Sequence, residues 1–386
     1  MSEIYFDNSS TTRPSQAVRD IVLKTMDIDY GNPSSMHQKG VEAEAYLKET
    51  QRILSSILKV REKEILFTSG GTESNNWALL ETAISKKHDG RTIITTKVEH
   101  PAVSEVLKYL EKTYDYRIVK IGTDREGRFD MEAFEEALTE DVVLVSVMFV
   151  NNEIGTVMPI PEIGRLIREK APKALFHVDA TQAFGHLRIY PKTMGIDLLS
   201  ASAHKFHGPK GVGFLYADER VKLKPLILGG GQQMGLRSGT DNVPGVAGMG
   251  VAAKEAYDNF EERNAYIRGL RTYLMARLGE LDRVVIHGTA EEGMAPHIVH
   301  ASFIGVGSEV LLHSLEDKGI YISAGSACST HKRAPSATLT ALHADRDELS
   351  SGVRFSFSEE NTKEEIDALM EALKALLPML RRYRAK

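Results

Sequence analysis

Short apolar runs rich in β-branched residues alternate with helical patterns through the first two-thirds of the chain. The runs predict seven strands, at residues 65–68, 92–95, 117–120, 142–147, 175–178, 198–200 and 213–216. Helical patterns such as 131–138 and 161–169 separate several of them. This alternation predicts a mainly parallel sheet with helices on both faces. Ligands of such a sheet collect at the carboxyl ends of its strands.

The pattern changes near residue 250. A glycine-rich segment at 229–240 is followed by a helical stretch that begins near Pro244. Long helices at roughly 251–281 and 363–383 then accompany strands at 284–287, 298–303 and 353–357. We therefore predict a large α/β domain at residues 13–250 and a smaller α+β domain at 251–386, with residues 1–12 packed against the smaller domain.

The composition is that of a globular protein large enough for two domains. The chain has 386 residues, of which 42% are hydrophobic and 26% charged. Its net charge of −5 predicts no direct nucleic-acid binding. The N-terminus lacks the pattern of a signal peptide, and the longest apolar run, 142–150, is too short to span a bilayer. We expect a cytoplasmic protein without membrane contact.

The segment 69–75, Ser-Gly-Gly-Thr-Glu-Ser-Asn, lies between a predicted strand and a predicted helix. Backbone N–H groups, hydroxyls and a helix dipole at such a place can hold a phosphate group. Glycines at a strand-to-helix turn also occur as turn residues alone. The segment is neither a Walker loop nor a dinucleotide-binding G-x-G-x-x-G motif.

Lys205 follows Asp179 by 26 residues, and each comes directly after a predicted strand. A lysine that forms a Schiff base and a carboxylate that keeps a pyridine nitrogen protonated are the minimum requirement for pyridoxal phosphate chemistry. Taken alone, Asp179 is equally a helix cap or half of a buried ion pair. Ser202 and His204, beside the lysine, are further candidate phosphate donors.

Cys328 is the only cysteine, which excludes an intrachain disulfide and a multi-cysteine zinc site. A single cysteine is often a small buried hydrophobe. Here it lies in the Gly/Ser-rich segment 323–329, and basic residues follow at 331–333. That context predicts an exposed flexible loop and a thiol whose pKa lies below the usual value of about 8.5. Arg354, on an otherwise apolar strand, needs an anion, either an internal carboxylate or a substrate α-carboxylate.

Together these residues resemble the group I cysteine desulfurases, within the class V aminotransferase family. The resemblance covers essentially the whole chain, through motifs at 5–12, 31–35, 67–76, 99–100, 150–155, 177–182, 202–205, 237–240 and 326–329. It implies the type I fold of pyridoxal-phosphate-dependent transferases, with a seven-stranded sheet in the large domain. The chain departs from the pattern at Ser9, Ser10 and Gly71, at Gln233 and Met234, and in the residues after Cys328.

The resemblance implies a role for individual residues. Lys205 would bind pyridoxal phosphate covalently and move the substrate Cα proton. Asp179 would pair with the pyridine nitrogen, and His100 would stack on the ring and assist proton transfers. Asn152 and Gln182 would contact the ring hydroxyl and the substrate. The phosphate would be bound by Gly71, Thr72, Ser202 and His204, together with Thr240 from the neighbouring subunit of a homodimer. Arg354 and Asn32 would bind the substrate carboxylate.

The implied reaction is the conversion of L-cysteine to L-alanine, with a persulfide formed on Cys328. The sulfur would pass to protein acceptors such as iron–sulfur scaffolds or tRNA thiolation enzymes. No metal site is expected, apart from transient iron–sulfur ligation by Cys328. One alternative is an aminotransferase, or a lyase acting on selenocysteine or cysteine sulfinate, on the same fold. Another is a catalytically idle structural partner. The presence of Lys205, Asp179 and Cys328 is evidence against this alternative.

Overall fold

The computed structural model describes residues 3–289, 293–324 and 335–384. Within them the chain forms thirteen strands: β1 (Ile4–Tyr5), β2 (Ile65–Thr68), β3 (Thr92–Thr96), β4 (Arg117–Ile121), β5 (Val142–Met148), β6 (Leu175–Asp179), β7 (Leu198–Ser202), β8 (Gly213–Ala217), β9 (Val284–His287), β10 (Ile298–Phe303), β11 (Ile320–Tyr321), β12 (Ser323–Ala324) and β13 (Gly352–Ser356).

The same residues form thirteen helices: α1 (Gln16–Asp27), α2 (Gln38–Leu58), α3 (Gly71–Lys86), α4 (Pro101–Tyr114), α5 (Met131–Ala137), α6 (Ile160–Lys170), α7 (Pro191–Met194), α8 (Val243–Asp258), α9 (Phe260–Leu278), α10 (Ser308–Glu316), α11 (Ala337–Ala341), α12 (Arg346–Ser351) and α13 (Lys363–Arg384). A short 3-10 turn at Ala203–Lys205 follows β7 directly.

Seven strands form the large sheet, in the order β2-β8-β7-β6-β5-β3-β4. Only β8 runs against its neighbours β2 and β7, so the other strands share one direction. Every predicted strand of this sheet is present, and the predicted fold class is confirmed. The central strands are buried on both faces, as in β5, where all seven residues are buried, whereas Arg117 and Lys120 of the edge strand β4 are exposed. Burial on both faces is expected for a parallel sheet that helices cover on either side.

The prediction of a single helix at 251–281 is wrong, because the structure has two helices there, α8 and α9. Asn259 separates them with φ −115° and ψ 41°, outside the helical region. The two helices pack in different cores: Val246 and Met249 of α8 belong to the core of the large sheet, whereas Ile267 and Leu274 of α9 belong to a second core. The domain boundary near residue 250 stays a prediction.

The second core lies around the four-stranded sheet β12-β13-β10-β9. The N-terminal segment joins it, because β1 pairs in parallel with β11, and Ile4 and Phe6 are buried in this core. Beyond Phe6 the chain crosses to the large sheet, where the backbone N–H of Thr12 donates to the carbonyl of His204 over 2.9 Å. The segment 5–12 therefore connects both cores beside the carboxyl ends of the central strands.

Candidate active site

A cavity of about 550 Å³ lies at the carboxyl ends of the parallel strands. Many of its wall residues follow strands that end nearby, as expected for a sheet of this type, and the N-terminal segment adds Ser10 and Thr11. The cavity brings together nine residues that the sequence predicted: Gly71, Thr72, His100, Asn152, Asp179, Gln182, Ser202, His204 and Lys205.

Asp179 is the last residue of β6 and is buried. Its Oδ1 accepts a hydrogen bond from the backbone N–H of Thr181 over 2.9 Å, and its Oδ2 accepts one from Asn75 Nδ2 over 2.8 Å. Both donors are neutral, so they orient the carboxylate without cancelling its charge. A carboxylate held in this way inside the cavity suits a protonated pyridine nitrogen.

Lys205 reaches the same cavity from the 3-10 turn after β7. Its Nζ donates to the carbonyl of Ser9 over 2.6 Å and to that of Ser10 over 2.9 Å. Gln182 also donates, through Nε2, to the Ser9 carbonyl over 2.9 Å. The N-terminal segment thus holds two predicted site residues in position with backbone acceptors alone.

The N-terminus of α3 forms one end of the cavity. No side chain caps this helix, and Gly70 before it has φ +144°. A Cβ at Gly71 would lie 2.8 Å from Thr181 Oγ1, so a larger residue here would require the Thr181 side chain to shift. Backbone N–H groups and the dipole of a sixteen-residue helix favour an anion here. The hydroxyl groups of Thr72 and Ser202 line the same end.

Two basic residues, His204 and Lys210, also line the cavity. Burial, together with the charges of Lys205 and Lys210, lowers the pKa of His204 to about 4. His204 is therefore a neutral donor or acceptor at pH 7, and its Nδ1 lies 3.2 Å from Thr11 Oγ1. Lys210 also lines the cavity and supplies positive charge at this end. The groups present fit a phosphate ester, a pyridine ring and an aldehyde, which are the parts of pyridoxal phosphate.

His100 is the N-cap residue of α4 and lines the cavity. Its Nδ1 accepts from the backbone N–H of Ala102 over 3.1 Å, so the neutral ring carries its proton on Nε2. Burial lowers the pKa of His100, and the charge of Lys205 lowers it further, against an opposing effect of Asp179. The ring is neutral at pH 7 and offers the cavity a flat face and one N–H donor.

A second cavity of about 500 Å³ adjoins the first. His100, Asn152, Gln182 and Lys205 line both cavities, together with Ser10. Charged groups are concentrated in the remaining wall of the second cavity, which contains Glu99, Glu105, Lys108, Glu153 and Arg354.

Of the two alternatives that the sequence left open for Arg354, the structure shows the internal carboxylate, and the binding of a substrate carboxylate stays a prediction. Arg354 forms an internal ion pair, because Nη2 lies 2.9 Å from Asp7 Oδ1, and Nη1 donates to the Asn152 carbonyl over 2.6 Å. It also lines the second cavity, and its Nε is buried without a hydrogen-bond partner among the described residues. The guanidinium is thus positioned by Asp7 and retains one N–H group for a ligand.

Cys328 lies outside the described residues, as does most of the segment 323–329 that the sequence predicted as an exposed loop. The prediction is wrong for the first two residues of that segment, because Ser323 and Ala324 form the buried strand β12, which pairs with β13. The described residues on either side, Ala324 and Pro335, both line the second cavity. Cys328 follows Ala324 by four positions, and four residues of extended chain span at most about 14 Å. The distance along the chain therefore allows the thiol to reach the second cavity.

Two predicted ligands lie away from both cavities. Asn32 is exposed, and its Oδ1 accepts from the backbone N–H of Ser34 over 2.9 Å. Thr240 is also exposed, in a loop that Arg237 anchors to Glu73 near the N-terminus of α3 through contacts of 2.9 and 3.1 Å. The single chain does not bring these two residues to the site.

Sequence reasoning missed several contributors. Asn75 could have been found, since it lies one helical turn after Gly71 and therefore on the same face of α3. The carbonyl groups of Ser9 and Ser10 could not have been found, because backbone acceptors leave no signal in residue types. Glu99 was noted only as part of a motif, although it is a buried carboxyl in the wall of the second cavity.

The fold and these two cavities define a pyridoxal-phosphate-dependent enzyme. The chain belongs to the class-V aminotransferase family, since the family model described as Aminotransferase class-V matches residues 4–369. Members of this family depend on pyridoxal phosphate, which confirms the predicted cofactor.

Relatives in the family carry more specific names. A cysteine desulfurase IscS from Clostridium botulinum is 39% identical over 381 residues, covering 98% of this chain and 95% of the relative. A solved NifS-like protein is 36% identical with a TM-score of 0.93, covering 98% of this chain and all of that one. The structure of SspA in complex with cysteine is 29% identical, with a TM-score of 0.80, and the match covers 93% of this chain and 99% of that one.

No helix within the described ranges has both the length and the apolar composition required to cross a membrane.

Proposed function

We propose that this protein is a cysteine desulfurase, which removes sulfur from L-cysteine and releases L-alanine. The observation that carries the proposal is the arrangement of the two cavities. Lys205 and Asp179 face the first cavity, and the second cavity is bounded by the residues on both sides of the segment that contains the only cysteine. Relatives that share nearly the full length bear the same name, and one solved relative contains cysteine.

Pyridoxal phosphate, when bound, supplies an electron sink that lets bonds of the substrate Cα and Cβ break. In our proposal Lys205 holds the cofactor covalently and later carries the Cα proton. Asp179 keeps the pyridine nitrogen protonated, and the neutral ring of His100 covers one face of the cofactor. The N-terminus of α3, with Thr72, Ser202 and His204, holds the phosphate.

The substrate would lie across the boundary between the cavities. Its amino group would approach Lys205, and its carboxylate would bind Arg354 beside Asn152 and Gln182. Arg354 is suited to this role because Asp7 fixes its orientation while one N–H group lacks a partner.

Cys328 would then take the sulfur. Its thiolate attacks the substrate sulfur, the bond between that sulfur and Cβ breaks, and the electron pair of the bond remains with the carbon. The products are a persulfide on Cys328 and L-alanine, so the step needs no oxidant or reductant. In our proposal the persulfide passes to a protein acceptor in the cytoplasm, an iron–sulfur scaffold or a tRNA thiolation enzyme.

We further propose a homodimer in which the partner completes the site. Thr240 and Asn32 are exposed in this chain, and large apolar side chains are exposed near both, including Met36, Leu228 and Met234. Such exposed apolar surface favours association. We expect sedimentation to give a dimer, and replacement of Thr240 by valine should weaken cofactor binding. A fully active monomer would contradict this arrangement.

The function is tested with the purified protein and L-cysteine alone. We expect L-alanine to appear and mass spectrometry under non-reducing conditions to find one additional sulfur atom on residue 328. Alanine formation with an unmodified Cys328 peptide would remove the persulfide from the proposal. A colourless protein that forms no alanine when pyridoxal phosphate is added would support the idle structural partner instead. Transfer of the amino group to a keto acid without sulfur release would support an aminotransferase.

A further inference from the structure

Asn75 is a buried amide near the start of α3, 1% exposed, and it lies in the wall of the first cavity. Its Nδ2 donates to Asp179 Oδ2 over 2.8 Å. Because a carboxylate only accepts hydrogen bonds, the nitrogen of this amide and not its oxygen must face Asp179. The other carboxylate oxygen, Oδ1, accepts from the backbone N–H of Thr181. Among the described residues, Asn75 is thus the only side chain that donates a hydrogen bond to Asp179.

The rest of the amide is poorly accommodated by the fold. Its Oδ1 is buried and has no hydrogen-bond partner within the part of the chain that the structure describes. A buried acceptor without a partner destabilises a folded protein. Ala78 and Leu79, which follow on the same face of α3, are fully buried in an apolar core, so an apolar side chain would also suit this face. The presence of an amide at position 75 is explained by Asp179 and not by the packing of α3.

The hydrogen bond from Asn75 acts on the charge of Asp179. A donor to a carboxylate favours its charged form over the protonated acid. The proposed function places the protonated ring nitrogen of pyridoxal phosphate against this carboxylate, so the two groups would share one proton. While Asn75 donates to Oδ2, the carboxylate is a weaker base and the proton stays on the ring nitrogen. Without this donor the proton would move toward Asp179, and the ring would lose its positive charge.

The helix that carries Asn75 also forms the opposite end of the cofactor site. Gly71 and Thr72 lie at the N-terminus of α3, where the cavity suits a phosphate group. Asn75 follows Gly71 by four positions, which corresponds to about 6 Å along the helix axis. One rigid element therefore sets the distance between the anion site at its N-terminus and the carboxylate of Asp179. The Asn75 bond is the link between that carboxylate and the helix.

We propose that Asn75 is a positioning residue that keeps the ring nitrogen of the cofactor protonated by acting through Asp179. This inference rests on the proposed function, in which Asp179 pairs with that nitrogen. The protonated ring is the stronger electron sink, so Asn75 supports every step in which the ring accepts electrons from the substrate. Its role concerns the position of one shared proton, and it neither gives a proton to the substrate nor takes one from it.

The first test is the variant Asn75→Ala, studied as holoprotein with an isotope label in the ring nitrogen of the cofactor. We expect the nitrogen resonance in solid-state NMR to move from the protonated toward the unprotonated position. The kcat for alanine formation should fall about 10-fold, as expected for one hydrogen bond to a charged group, and KM should not change. The matched control is Asn76→Ala, because Asn76 is the next amide of α3, bonds the Thr72 carbonyl over 2.9 Å and lines neither cavity. This control should keep the wild-type resonance and rate.

The second test asks whether Asn75 acts through Asp179. The amide in Asp179→Asn carries no charge to hold the ring proton, so the nitrogen should be unprotonated in this variant. Adding Asn75→Ala to it should then cause no further change in the resonance, because the shared step is already lost. If Asn75→Ala does not fold, Asn75→Ser replaces it in both tests, since its side chain is one bond shorter and does not reach Asp179 Oδ2.

The outcomes distinguish the role of Asn75 from the proposed function. If the wild type forms no alanine from L-cysteine, the proposed function fails. If it forms alanine and Asn75→Ala keeps both its resonance and its rate, the role of Asn75 is overturned while the desulfurase remains. An unprotonated ring nitrogen in the wild type, or a further shift when Asn75→Ala is added to Asp179→Asn, overturns that role as well. A shifted and slow Asn75→Ala, with a normal Asn76→Ala and no further shift in the double variant, supports it.

Discussion

Replacement of Cys328 by alanine should abolish the formation of L-alanine from L-cysteine and leave the cofactor bound. In the proposed reaction the thiolate accepts the sulfur, so its loss removes the covalent step rather than weakening it. Loss of a covalent nucleophile in other enzymes lowers kcat by up to about 10⁶-fold, and we expect a loss of at least roughly 10³-fold here. Alanine is measured by chromatography and the cofactor by its absorption band.

The control for this variant is Ser329→Ala, which changes the neighbouring position and keeps the thiol. It should retain both alanine formation and the additional sulfur on residue 328. A Cys328→Ala protein that releases alanine and sulfide at the wild-type rate would show that sulfur leaves without a protein thiol. The reaction would then be a simple lyase reaction on the same fold.

Replacement of Lys205 by alanine should eliminate turnover and the covalent attachment of the cofactor. The phosphate end of the cavity, at the N-terminus of α3, is unchanged in this variant, so pyridoxal phosphate should still bind without a covalent bond. Borohydride reduction should then fix no cofactor to the protein. In the proposed reaction the same lysine also carries the Cα proton, so we expect at least about 10³-fold loss of activity, within the range found for acid–base residues.

The control is Lys222→Ala, at an exposed lysine outside both cavities. Borohydride should still reduce and fix the cofactor in this protein. Peptide mapping of the reduced wild type gives the attachment site directly. Attachment at any lysine other than Lys205, or attachment that persists in Lys205→Ala, would contradict the assignment.

The large sheet was predictable because its signals are local. Each of its strands is an apolar run bounded by turn residues, and the polar groups that follow them, such as Asp179 and Lys205, lie at one edge of the sheet by the geometry of parallel strands. The boundary at Asn259 was not predictable. A helical pattern continues across it, and only the packing of α8 and α9 in different cores shows the break.

The chemistry of single residues was less predictable than their positions. The pairing of Arg354 with Asp7 joins residues 347 positions apart, which no local pattern contains. The tautomer of His100 follows from a backbone N–H two residues later. Burial among elements that are distant in sequence raises the pKa of Glu99 to about 8. Each depends on three-dimensional surroundings that residue type and spacing do not encode.

The N-terminal segment has a consequence for biogenesis. Lys205 contacts the carbonyls of Ser9 and Ser10, Asp7 binds Arg354, and β1 pairs with β11. Residues 4–10 are therefore made long before Arg354 and β11, and contacts between residues so distant in the chain form slowly. Asp7 and β1 can bind their partners only after residues 320–354 have been made, so this part of the site is completed late in synthesis.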